Sequence, residues 1–324
     1  MKRRDFLVGF GGAAAGSFLA HAIHAEQTGR LYRLGVLVGG QRSASHVAAL
    51  FDELQTSGFV EGQNLTTNGG YGMQGDLSPE DITAMRKFEP DAIFSSTDRW
   101  SRPLRDAMPN VPIIGLSPDL IGSGLLKSLA RPESNMTGVS FFGPELDGKR
   151  QQILEEAVPG ARQIAMLRDE NATPPEQIKT LQEAARARGV DPLVYYIRTA
   201  GDIVPVMDQI KASGAGAINV LSSILVFANR RELIERCTAL KLPAIYEWPE
   251  MADEGGVLAY GARLSGIFRQ MARMVVKVFR GVKAAELPVE RPTQFELVIN
   301  LRTAKAIDLE IPAGLVLRAD KLIE

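Results

Sequence analysis

The sequence predicts an α/β protein of two similar lobes, each a parallel sheet flanked by helices. Short apolar runs alternate with amphipathic stretches along the chain after residue 25. Buried parallel strands and their covering helices alternate in this way. The programme then repeats at nearly constant offsets: 130 residues from Leu34 to Ile164, 125 from Ile93 to Ile218, and 131 from Pro112 to Pro243. A repeat that long, with about four strands per unit, indicates duplicated lobes rather than a solenoid or a barrel. The 324 residues, 45% apolar and 23% charged, supply enough material for two cores.

In the first lobe, residues 34–38 form a continuous apolar run that reads as a buried strand. A polar loop at 39–45 follows, then a helix at 46–57 that stops at Gly58. Next come a strand at 65–68, a helix at Pro79–Phe88, a strand at Ala92–Ser95, a loop with a short helix at 96–108, and a strand at 112–116. In the second lobe a strand at 163–167 precedes a polar loop at 168–175 and a helix at 176–188 that ends at Gly189. A strand at 193–197, a helix at 204–212, a strand at 217–221, a loop at 222–227, a helix at 229–240 and a strand at 243–246 complete the repeat. Ligands of such sheets bind beyond the carboxyl ends of the strands. The informative loops are therefore 39–45, 95–102, 117–122, 168–175, 222–227 and 246–251.

The first 25 residues carry Lys2, Arg3 and Arg4 ahead of an apolar stretch at 6–20, and end in small residues. This is the pattern of a cleaved secretory signal, too short to remain as a membrane span. The run Arg3-Arg4-Asp5-Phe6-Leu7 is similar to a twin-arginine export signal. Cleavage is expected near Ala25, giving a protein outside the cytoplasm that is not embedded in the membrane. Gly9-Phe10-Gly11-Gly12-Ala13-Ala14 fits a dinucleotide-binding pattern, but it lies within the leader and follows no strand, so it signals no cofactor.

Composition excludes several chemistries. Cys237 is the single cysteine, so the chain forms no disulfide within itself. Of three histidines, His21 and His24 lie in the leader, and after cleavage only His46 remains. No metal site or cofactor is expected, and hydrolytic triads would all depend on His46. The net charge of −1, with 37 basic and 38 acidic residues, provides no field for nucleic acid.

Several stretches resemble one family. They are Phe59-Val60-Glu61-Gly62-Gln63-Asn64; Ile121-Gly122-Ser123-Gly124-Leu125 with Leu129-Ala130-Arg131-Pro132 and Asn135-Met136-Thr137-Gly138; and Glu145-Leu146 with Gly148-Lys149-Arg150. Leu242-Pro243-Ala244-Ile245-Tyr246, Tyr260-Gly261 and the run from Pro292 to Leu301 complete them. Together they are similar to the ABC-transporter substrate-binding proteins of the TrpX type. The resemblance implies a type I periplasmic binding protein: two Rossmann-like lobes joined by a three-segment hinge, binding a small molecule between them and docking on an ABC permease. The crossings would fall near 138–140, 260–262 and 292–295, dividing the chain into lobe 1 (26–138 plus 262–293) and lobe 2 (139–261 plus 294–324). The helix at 265–280 would return to lobe 1, and the strand Glu296–Asn300 would lie with lobe 2. A monomer in the periplasm is expected. The loops Ser95-Ser96-Thr97-Asp98-Arg99-Trp100 and Arg168-Asp169-Glu170-Asn171-Ala172-Thr173-Pro174 depart from the family pattern, so no ligand carries over.

Residue chemistry supplies the candidate contacts. Trp100 and Trp248 follow strand ends in opposite lobes and would clamp a flat ligand. Ser43, Ser45, Ser96 and Thr97 stand where strands meet helices and would hold a carboxylate, or serve as helix caps. Asp119 would take an ammonium or hydroxyl, or serve a turn. Phe141 or Phe142, with Phe142 favoured, would face the cleft or else pack between the lobes, and Arg168 would pair with a carboxylate unless Asp169 and Glu170 occupy it. Asn171, Ser222 and Tyr246 hold strand-end positions. Cys237 reads as a buried small hydrophobe and His46 as a helix-start residue near the cleft mouth. The expected function is binding without catalysis. The favoured ligand is an aromatic amino acid or aromatic carboxylate, with a branched aliphatic amino acid next. The alternatives are an exported sensor for a membrane receptor and an exported oxidoreductase.

Overall fold

A computed structural model describes residues 29–141, 143–170, 172–173 and 175–324, without the side chains of 143–145. The expected export leader, Phe142 and Asn171 lie outside the described residues. The first sheet contains β1 (Tyr32–Val38), β2 (Leu65–Tyr71), β3 (Ala92–Ser95), β4 (Ile113–Ser117) and β5 (Met136–Ser140), in the order β2-β1-β3-β4-β5 and parallel throughout. Its helices are α1 (Ser45–Thr56), α2 (Pro79–Phe88) and α3 (Asp98–Ala107). Strand alternation sorts the core. Leu34, Val36, Phe94 and Ile114 face the α1 side, whereas Ile93, Ile113 and Met136 join Trp100 and Leu104 of α3 on the other.

The second lobe runs through α4 (Gly143–Ala157), β6 (Gln163–Asp169), α5 (Pro175–Ala187), β7 (Asp191–Ile197), α6 (Ile203–Ala212), β8 (Ala217–Val220), α7 (Ile224–Ala228) and α8 (Arg230–Ala239). It continues with β9 (Ala244–Tyr246), α9 (Pro249–Asp253) and β10 (Leu258–Gly261). Helix α10 (Leu264–Phe279) then returns to the first lobe and packs on α1, β3 and β5. Its end is held by Phe279 against Tyr32 and by Arg280 donating to the Ser57 carbonyl. The chain finishes in the second lobe with β11 (Glu296–Asn300), α11 (Leu301–Ala306), α12 (Ala313–Val316) and β12 (Lys321–Ile323). The second sheet has the order β12-β11-β10-β9-β8-β6-β7. It is parallel except where β11 runs antiparallel to β10.

The structure adds to the sequence reading in two places. Residues 136–140 form a paired strand, so the first passage between lobes begins after Ser140 rather than within 138–140. Gly138 lets β5 approach β4: its φ is +153°, and a side chain there would collide with the Gly115 carbonyl oxygen. The 222–227 loop contains α7, capped by the Ser223 hydroxyl, which accepts from the Leu225 and Val226 amides. Beside β5, an extended segment is fastened by Thr137 Oγ1 donating to Leu287 O at 2.8 Å and by Glu290 pairing with Gly138 and Ser140. Among the described residues, no helix is long and apolar enough to cross a membrane.

Candidate functional site

A cavity of about 460 Å³ lies where the carboxyl ends of the two sheets face each other, a size typical of small-molecule sites. All six loops singled out in the sequence reach it. Gly39 and Gly40 follow β1, Ser96 and Thr97 follow β3, Pro118 and Asp119 follow β4, Asp169 ends β6, Ser222 and Ser223 follow β8, and Glu247 and Trp248 follow β9.

One wall is aromatic. Phe141, at the first passage between lobes, packs on Trp248 with ring centroids 5.1 Å apart, and Phe227 meets the same indole at 6.4 Å. His46 stands edge-on between Phe268 of α10, at 4.9 Å, and Phe227 of α7, at 5.7 Å. His46 and Phe268 belong to the first lobe and Phe227 to the second, so the lobes touch across the cleft. Gly40 makes room for this imidazole: any β-carbon there would fall 2.4 Å from His46 Nε2. Burial, with the Arg230 charge adding, pushes the His46 pKa down to about 4.

The polar surface is rich in carboxylates. Glu247 is 6% exposed, and its Oε1 has no hydrogen-bond partner among the described residues. Burial pushes its carboxyl up to about 7, against the Arg150 charge and a hydrogen bond from Ser222. Arg150 is itself fully buried and paired with Asp147. In the first lobe, burial raises the Asp98 carboxyl to about 6, opposed by Ser117, Arg102 and Ser123. The Ser117 hydroxyl donates to Asp98 Oδ2 at 2.8 Å. Asp169 accepts from the Ser223 hydroxyl at 2.7 Å.

Of the sequence candidates, Ser96, Thr97, Asp119, Ser222 and Trp248 line the cavity. Thr97 also caps α3, and Asp119 Oδ1 accepts from the amides of Ile121 and Gly122 in a turn. The others fall elsewhere. Trp100 is 1% exposed, inside the first lobe's core, with its indole N–H donating to Gly75 O at 2.9 Å. It sits in the first turn of α3, whose buried face it shares with Leu104, and helical phase turns it away from the cleft. Ser43 and Ser45 are exposed, and Ala44 between them takes the α1 cap position. Arg168 lies under Tyr196 and donates to the Glu170 carbonyl rather than facing the cavity. Tyr246 is buried beside Cys237 in the second lobe's core. The sequence reading missed Glu247, Asp98, Phe227 and Phe268. The apolar run after Ser223 is a capped-helix signature that pointed to Phe227, whereas nothing local marks Glu247 as buried.

Residues 35–323 match the family described as ABC transporter substrate binding protein. The chain belongs to that family. Among curated relatives of this family, it is 22% identical over 265 residues to a tyrosine-binding protein of Clostridioides difficile (strain R20291), covering 79% of this chain and 74% of the relative. A conserved domain protein from Vibrio cholerae superposes with a TM-score of 0.80 at 21% identity, covering 90% of this chain and all of that one. The ABC domain in complex with L-Trp from Streptococcus pneumonia superposes at 0.76, with 20% identity and the same coverage. The type I periplasmic binding fold, two α/β lobes around a cleft, is thereby established.

Proposed function

We propose that this protein is exported, captures an aromatic amino acid between its lobes and delivers it to a membrane importer without altering it. The observation that carries this reading is the aromatic wall drawn from both lobes. Phe141 and Phe227 each meet the Trp248 indole, and His46, backed by Phe268, meets Phe227 from the opposite lobe. Such a wall gains contact with a flat ligand only when the lobes are together, so the ligand favours the closed form. The tyrosine-binding relative and the L-Trp complex support a ligand of this class. The leader's basic start and apolar run support export.

The test is a thermal-shift and calorimetric series on the protein beginning at Glu26, with L-tyrosine, L-tryptophan, L-phenylalanine, L-leucine and benzoate. An aromatic amino acid at 100 times its Kd should stabilise by about 2.7 kcal/mol and be recovered unchanged. Preference for leucine, or recovery of a chemically altered compound, would overturn the reading.

A further inference from the structure

We propose that the cavity selects a ligand with a hydrogen-bond donor at each end of an aromatic body: an ammonium held by Glu247 in one lobe and a phenol hydroxyl or ring N–H held by Asp98 in the other. This deepens the aromatic-ligand reading and rests on it.

Each end presents an unsatisfied acceptor. Glu247 is 6% exposed, lines the cavity and leaves Oε1 without a hydrogen-bond partner among the described residues. A buried carboxylate oxygen without a donor is costly, and a ligand ammonium removes that cost. At the other end, Ser117 occupies Asp98 Oδ2 and leaves Oδ1. The Ser123 hydroxyl stands close enough to lower the Asp98 pKa, yet neither it nor Asp98 Oδ1 reaches hydrogen-bond geometry with any described group. Both Asp98 and Ser123 line the cavity. Phe141, Trp248, Phe227 and Phe268 line the same cavity.

The charge balance agrees. Asp98, Asp119, Asp169 and Glu247 line the cavity, against Arg99 and Arg102. Arg99 pairs with Asp76 at 3.1 Å, and Arg102 donates to the Ser123 carbonyl. The charged groups are therefore carboxylates in excess of cations, which a ligand bringing an ammonium offsets. An aromatic acid without an amine would place another carboxylate against these.

Calorimetry with four probes separates the ends: L-tyrosine, L-phenylalanine, tyramine and 3-(4-hydroxyphenyl)propionate. L-tyrosine should bind on the order of 10- to 100-fold more tightly than L-phenylalanine, because a site built to pair a hydroxyl rejects the analogue lacking it. Tyramine should stay within about tenfold of L-tyrosine, while hydroxyphenylpropionate should lose roughly 100-fold. Asp98→Leu should reduce the tyrosine-to-phenylalanine ratio to about threefold or less. Ser123→Ala, a milder change, should lower the same ratio. Glu247→Gln should weaken tyramine more than 3-(4-hydroxyphenyl)propionate. An unchanged ratio in both first-lobe variants overturns the Asp98 end, and hydroxyphenylpropionate binding as well as tyrosine overturns the Glu247 end. In both cases the aromatic-ligand function still stands. Failure of all four probes overturns this inference, and the aromatic-ligand function falls with it only if L-tryptophan also fails to bind.

Discussion

Trp100 and Trp248 follow strand ends in opposite lobes, and the fold puts them to opposite uses. Trp100 enters a ten-residue helix at its first turn, rotates onto the core face and anchors its N–H on Gly75. Trp248 precedes a five-residue helix as its cap, where no helical phase turns it inward, and it meets Phe141 and Phe227 at the cavity. The contrast teaches that a strand-end position does not by itself assign a side chain to a cleft. What decides is whether the next element has already begun.

The contrast can be broken by exchange of effects. Trp100→Ala should cost the unliganded protein about 3–5 kcal/mol, read by chemical denaturation, and change L-tyrosine affinity little. Trp248→Ala should weaken L-tyrosine by about 1–3 kcal/mol with a smaller effect on unliganded stability. If affinity follows Trp100 and stability follows Trp248, the two assignments are reversed.

The charged groups of the two walls sharpen the comparison through pH. Burial raises Glu247 from 4.5 to about 7, with Arg150 and Asp147 its charged neighbours. A raised carboxyl stabilises the folded state fully below the unfolded pKa, and that contribution fades as pH rises through 7. Glu247→Gln should therefore gain roughly 1–3 kcal/mol of unliganded stability at pH 8 and almost nothing near pH 4.5. The same ionisation strengthens an ammonium ligand, so wild-type affinity should rise from pH 5 to 8 and binding near pH 7 should release a proton. His46 has the opposite sign. Its pKa falls from 6.5 to about 4, so its contribution is present above 6.5 and is lost as pH falls through 4. His46→Phe should flatten the stability profile between those values by about 1–2 kcal/mol, the smallest of these effects.

The strands and helices were legible because buried parallel strands are continuous apolar runs and their helices end at glycines such as Gly58 and Gly189. The loops that reach the cavity were legible because topology alone places them at the sheet's carboxyl ends. Individual side chains were less so. Trp100 and Leu104 share a helical face, a spacing present in the sequence but outweighed by the polar residues around them. Glu247 gave no signal, because the groups that act on it, Arg150, Asp147 and Ser222, lie 25 to 100 residues away in the chain. The first crossing was set at 138–140 by the family resemblance, whereas Gly138 belongs to β5 and is there for its approach to Gly115.

Helix α10 also affects how the chain is made. Its apolar face closes the first sheet against α1, yet Leu264 is synthesised 124 residues after Ser140, where that sheet ends. A ribosome moving at about 5–20 residues per second leaves the sheet half covered for roughly 6–25 s. Through that interval Phe268's partners, Phe94 and His46, have no helix above them. The lobe begun first is therefore completed only after most of the second has emerged, and the nascent protein presents an apolar sheet face to whatever holds unfolded chains in the cell.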